Sequence, residues 1–124
     1  NKVYTTSFAA QWREMGHIEL KQDAMLYLVA PATANIIGKF ANGIADDLVS
    51  TTYLSVECPV LIAPAMNPNM WLHPAVQDNV EKLKSRGVHF VEPESGLVAC
   101  GDEGRGRLAS IEEIFRKAKD VIKG

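Results

Sequence analysis

Apolar and polar positions divide this chain into short continuous apolar runs and longer stretches of helical period. Met25–Ala30 is an unbroken apolar run of strand length, the pattern of a strand covered on both faces. Val60–Ala63 and Val88–Val91 read as two further strands. After the first run, Ile36, Ile37, Phe40, Ala41 and Ile44 recur at helical spacing, and Asp46–Ser55 reads as a second helix or as a continuation past Gly43. Pro74 suits the first turn of a helix whose inner face is Val76, Val80 and Leu83, and Gly87 ends it. Ser110-Ile-Glu-Glu113 has the form of a capping box, opening a helix with an apolar stripe of Ile111, Ile114, Phe115, Ala118 and Ile122. Residues 1–16 are weakly patterned, with strand character only at Val3 and Tyr4, and His17–Ala24 reads as a short helix. Gly96–Gly106 reads as a glycine-rich loop.

Strands alternating with helices imply parallel pairing through crossovers, hence an α/β fold: a three-layer helix–sheet–helix sandwich around a parallel sheet. Three central strands are few for such a fold, and no glycine-rich phosphate loop of the G-x-G-x-x-G or G-x-x-x-x-G-K kind occurs. With no initiator Met, residues 1–124 are therefore expected to be part of one domain whose N-terminal strand–loop–helix unit is missing.

Two strands end alike. Leu28-Val-Ala-Pro-Ala-Thr-Ala-Asn35 and Leu61-Ile-Ala-Pro-Ala-Met-Asn67 each run into an Ala-Pro-Ala turn followed by Asn. Proline lacks a donor N–H and disfavours helical geometry before it, so both strands are expected to stop there. Ligands of open α/β sheets bind just outside the carboxyl ends of strands, which makes these turns the candidate site.

Composition narrows the partners. With 124 residues, 47% apolar and a net charge of −2, the chain gives no electrostatic reason to expect nucleic acid or an anionic membrane. No apolar stretch approaches the roughly 20 residues of a membrane span. Cys58 and Cys100 form no pattern, so a reduced, cytoplasmic setting is the default expectation.

Asn35 and Asn67 each have the reading of a helix or turn cap. Two of them at equivalent strand ends shift the balance toward a binding role, since an amide offers both donors and an acceptor. Met66, Met70 and Trp71 read first as core residues, and beside Asn67 also as an apolar pocket wall. Cys100 lies in Ala99-Cys-Gly-Asp-Glu-Gly-Arg-Gly-Arg107, where glycines and arginines favour a reactive thiol as much as an ordinary loop cysteine. Cys58 reads as a buried, inert thiol. A lone histidine such as His17 is more often structural than catalytic, and His73 and His89 also read as structural. No Cys/His cluster has metal-ligand spacing, and no metal is expected.

These residues also carry a family resemblance. Pro64-Ala-Met-Asn-Pro-Asn-Met-Trp71 matches in full the P-x-M-N-x-x-M-W motif of the homo-oligomeric flavin-containing cysteine decarboxylases. Pro31-Ala-Thr-Ala-Asn35 resembles their P-A-S-A-N-T flavin motif, with Thr33 for Ser and, just beyond, Ile36 for Thr. His17 in Gly-His-Ile-Glu-Leu and Cys100 in Ala-Cys-Gly-Asp resemble the family's catalytic pair. The likeness runs over essentially the whole chain and is greatest to the decarboxylase half of bacterial bifunctional phosphopantothenoylcysteine decarboxylase/synthetases.

The resemblance implies a Rossmann-like flavoprotein with FMN as cofactor and a small-molecule substrate, 4′-phospho-N-pantothenoylcysteine. Decarboxylation of this substrate to 4′-phosphopantetheine belongs to coenzyme A biosynthesis. In that chemistry the cysteine thiol is oxidised to a thioaldehyde, the β-carboxylate leaves, and hydride returns. By similarity His17 would be the base and Cys100 the proton donor on a closing flap. Asn67, Met70 and Trp71 would clamp the substrate, while Thr33, Ala34, Asn35, Ile36 and Ala65 would line the flavin. The resemblance further implies a homo-trimer or a dodecamer of trimers, and a parent chain fused to a synthetase domain. Decarboxylation of a peptide's C-terminal cysteine, or a non-catalytic flavin-binding regulator, are the alternatives within the superfamily.

Overall fold

The computed structural model describes residues 2–5, 24–97 and 103–124. Strands β1 (Lys2–Thr5), β2 (Ala24–Ala32), β3 (Val60–Pro64) and β4 (His89–Phe90) form one sheet in the order β1-β2-β3-β4, every neighbour parallel. Helices α1 (Ala34–Asn42) and α2 (Leu48–Ser55) connect β2 to β3. The short α3 (Pro68–Trp71) and the longer α4 (Pro74–Ser85) connect β3 to β4. An antiparallel hairpin of β5 (Glu94–Leu97) and β6 (Glu103–Arg107) follows, and α5 (Ile111–Lys123) closes the chain.

Side-chain alternation along the strands builds the three layers. Tyr27 and Val29 of β2 and Val60 and Ile62 of β3 face one side, where Ile37, Phe40, Ala41, Trp71, Val80 and Leu83 cover them. Leu26 and Leu28, with Leu61 and Ala63, face the other side against Ile114, Ala118 and Val121 of α5. Both faces of β2 and β3 are thus buried, as their unbroken apolar runs require. Phe40 stacks on Tyr53 with ring centroids 4.1 Å apart, an aromatic pair worth about 0.5–1.5 kcal/mol that ties α1 to α2. Among the described residues no helix is long and apolar enough to cross a membrane.

Several local expectations are corrected. β2 does not stop at Pro31 but continues through the cis Ala30–Pro31 bond to Ala32. The ladder is irregular between Val29 and Ala32, and a proline without a donor is accommodated at such a break. β3 does end at Pro64. Ile44 is not part of α1, because Gly43 at φ 68° ends the helix and Ile44 N–H returns to Lys39 O at 3.0 Å. The strand character at Val3 and Tyr4 corresponds to β1, which adds a fourth strand to the three central ones expected. Gly96, Leu97 and residues 103–106 of the glycine-rich stretch lie in the β5–β6 pair rather than in a loop, and residues 98–102 lie outside the described residues.

The α5 start also differs from a reciprocal capping box. Ser110 Oγ accepts from Glu113 N–H at 3.2 Å as expected, but Glu113's carboxylate pairs with Arg116. Ser110 N–H instead donates to Glu94 Oε2 at 3.0 Å. The buried stripe is Ile114, Ala118 and Val121, while Ile111 and Phe115 are 66% and 61% exposed. The expected helix at His17 falls mostly outside the described residues, and its last member, Ala24, is in β2.

Candidate active site

The two Ala-Pro-Ala turns lie side by side. Ala32 and Pro64 are register partners on adjacent parallel strands, and Ala65 N–H donates to Ala32 O at 3.1 Å. Both strands therefore deliver a helix start to the same end of the sheet, where partly positive N-terminal amides favour anionic or electron-rich ligands.

At the first turn, Thr33 and not Asn35 is the cap. Thr33 Oγ1 accepts from Ile36 N–H at 3.1 Å, and Thr33 O accepts from Ile37 N–H at 3.0 Å. Asn35 is exposed and its amide is left out of the cap. Ala34 is half-buried. Ile36 packs partly against the core, and its N–H is already committed to Thr33, so it offers a ligand side-chain surface rather than that donor.

At the second turn, Asn67 caps α3. Its Oδ1 accepts from Asn69 N–H at 2.7 Å, and its NH2 end has no partner among the described residues. Met70, 47% exposed, lies at the surface, whereas Trp71, 5% exposed, is buried in the core beneath α3. Of the expected clamp, Asn67 and Met70 thus face outward and Trp71 anchors them from below. Ala65 is half-buried between the turns, and Met66 packs against the same core.

The hairpin is placed against this turn, since α3 lies against β6. Cys100 belongs to the connection between β5 and β6; it and His17 lie outside the described residues. Among the described residues no group of three or more His, Cys, Asp or Glu side chains is placed to hold a metal ion.

Over residues 1–123 the sequence matches the model of the Flavoprotein family. The chain belongs to that family. A cysteine/cysteine sulfinic acid decarboxylase from an unknown prokaryotic organism is 56% identical over 101 residues, covering 82% of this chain and 28% of the relative. The coenzyme A biosynthesis bifunctional protein CoaBC of Bacillus subtilis (strain 168) is 49% identical over 120 residues, covering 96% of this chain and 30% of the relative. Among solved structures, a mutant PPC decarboxylase complexed with pantothenoylaminoethenethiol superposes with a TM-score of 0.80 at 31% identity, covering 87% of this chain and 60% of that one. The flavoprotein chain thus spans under a third of the length of these curated relatives.

The residues present fit a flavin. The start of α1 offers an exposed Asn35 amide with no hydrogen-bond partner among the described residues, the half-buried apolar surfaces of Ala34 and Ile36, and Ala65 from the neighbouring strand end, an apolar surround with one placed polar group.

Sequence reasoning overlooked four residues, Lys39, Asp47, Ser50 and Tyr27, that tie α2 to α1 and to β2. Asp47 caps α2 through Ser50 and pairs with Lys39 at 2.7 Å, locking α1 to α2. The Lys39 ammonium and Ser50 hold the Asp47 carboxyl down at about 2. Burial, with the Asp47 charge nearby, pushes the Tyr27 phenol up, and its O–H donates to Val49 O at 3.2 Å. Burial likewise pushes the half-buried Cys58 thiol up, in keeping with an inert role. The Ala-Asp-Asp-Leu-Val-Ser stretch around Asp47 was the available signal, an acidic cap with a hydroxyl three residues on.

Proposed function

We propose that the protein containing this chain is an FMN-dependent decarboxylase of 4′-phospho-N-pantothenoylcysteine. The observation that carries this reading is the Asn67 amide, its carbonyl used in capping and its NH2 end without a partner among the described residues, on a turn joined to the start of α1. The CoaBC and PPC decarboxylase likenesses support the substrate, and membership of the Flavoprotein family supports the flavin.

When bound, FMN would supply reversible two-electron redox chemistry to the substrate. Thr33, Ala34, Asn35, Ile36 and Ala65 would line it. Asn67's NH2 group would donate to the substrate carboxylate and fix its orientation, with Met70 closing over it. His17 would take the thiol proton as the sulfur is oxidised. The carboxylate carbon then leaves as carbon dioxide, its electrons drawn into the adjacent C=S. Cys100 would supply the proton that takes its place, so the net change is loss of carbon dioxide without net oxidation.

The test is the full-length protein, assayed for yellow flavin absorbance and for carbon dioxide release from phosphopantothenoylcysteine. Flavin-loaded protein that releases none would refute the reading. The likeness to a cysteine/cysteine sulfinic acid decarboxylase favours a second reading, in which the substrate is a smaller cysteine-type acid with the same carboxylate. A kcat/KM for free cysteine above that for the phosphopantothenoyl compound would establish it.

A further inference from the structure

Helix α3, which carries Met70 and Trp71 behind the Asn67 cap, is too short to hold its own orientation. It closes on Trp71 N–H to Asn67 O and Leu72 N–H to Pro68 O, both 3.0 Å, and so short a helix is not stable alone. Its direction is set by what grips it from outside.

The Trp71 side chain is held in the core. The Trp71 carbonyl, at the open C-terminal end of α3, accepts from Gln77 Nε2 at 2.6 Å in a half-buried contact. A carbonyl only accepts, so the Gln77 amide has to present its NH2 group here. The Gln77 backbone is fixed, since its N–H donates to His73 O at 3.0 Å in the first turn of α4. Helix α4 in turn packs against α1, whose first turn is the candidate flavin site. Gln77 therefore stands where the substrate-side turn is tied to the helix bearing the flavin-side turn.

We propose that Gln77 is a positioning residue for carboxylate recognition. Through the Trp71 carbonyl it sets the tilt of α3, and with it the direction of the Asn67 NH2 group. This inference rests on the decarboxylase reading above.

The test uses the full-length, flavin-loaded protein with Gln77→Met, which keeps length but removes the donor, and Gln77→Glu, which presents only acceptors when ionised. Losing one such bond predicts a KM raised roughly five- to tenfold, with kcat within about twofold and flavin per chain unchanged. Amide hydrogen exchange at Trp71 and Leu72 should quicken by a similar factor, while Val80 and Leu83 stay as in wild type. Gln77→Lys, which restores a donor of similar reach, should return KM to within about twofold. Wild-type KM and wild-type exchange in the donor-free variants would overturn the proposal. If Gln77→Met fails to fold, Gln77→Glu carries the same comparison. Absence of turnover in flavin-loaded wild type would refute the decarboxylase reading and the carboxylate role with it, whereas unchanged exchange at Trp71 and Leu72 in the donor-free variants would refute Gln77 as the residue that orients α3.

Discussion

The backbone N–H of Ala65 donates to the carbonyl of Ala32 at 3.1 Å, joining two turns that are far apart in sequence. The bond lies just beyond the last register pair of β2 and β3, Ala32 with Pro64. It fixes the start of α1 and the Asn67 turn relative to each other by backbone alone, so side chains on either turn can serve one bound pair of molecules.

Asn67→Asp separates capping from recognition. Aspartate caps a helix about as well as asparagine, so thermal stability should change by no more than about 0.5 kcal/mol. If Asn67 holds the substrate carboxylate as proposed, the substitution sets a negative oxygen against it in place of an NH2 donor, and KM should rise at least roughly tenfold. Substrate saturation measured beside a melting curve checks both halves; an unchanged KM would remove Asn67 from the carboxylate site.

Cys100→Ala should uncouple the last step. Carbon dioxide should still be released, while the organic product accumulates as an enethiol two hydrogens short of the thiol, read by mass spectrometry. Normal product at the normal rate would contradict Cys100 as proton donor.

Asp47 predicts an acid-sensitive joint between α1 and α2. Its carboxyl is held at about 2 against an ordinary 3.8, chiefly by Lys39 and Ser50. A carboxyl depressed in the folded state contributes stability above its ordinary value and loses it as the pH falls through the folded one. Because Asp47 is partly open to solvent, the full shift is discounted to about 1 kcal/mol, lost between about pH 4 and pH 2. Denaturant unfolding across that window should show the loss in wild type and a shallower one in Asp47→Asn.

Glu94 ties the hairpin to α5. One carboxylate oxygen pairs with Arg107 at 3.2 Å and the other accepts from Ser110 N–H at 3.0 Å. Glu94→Ala should cost about 1 kcal/mol and Glu94→Gln less, because glutamine keeps an acceptor for Ser110. Equal losses in thermal unfolding would show that the Ser110 bond contributes nothing.

Much of the fold was legible because its signals are local. The apolar runs at Met25–Ala30 and Val60–Ala63 mark strands buried on both faces, and Pro74 and Ser110 mark helix starts. Two of the errors fall where a local signal met a competing partner or the edge of the core. Glu113 satisfies the capping-box spacing, yet Glu94 from the hairpin occupies the Ser110 N–H and Arg116 takes the Glu113 carboxylate. Ile111 and Phe115 fit the helical period, but the sheet reaches only as far as Ile114, Ala118 and Val121.

The sequence by itself determined the order of elements, the two proline turns and the asparagines that follow them, because proline, glycine and apolar period act within a few residues. Only the tertiary structure decided that the turns adjoin, that Thr33 rather than Asn35 caps α1, that Trp71 is an anchor rather than a surface, and that Gln77 grips it. Each depends on which strand lies beside which and which partner reaches a donor first, and residue spacing along a chain does not carry that information.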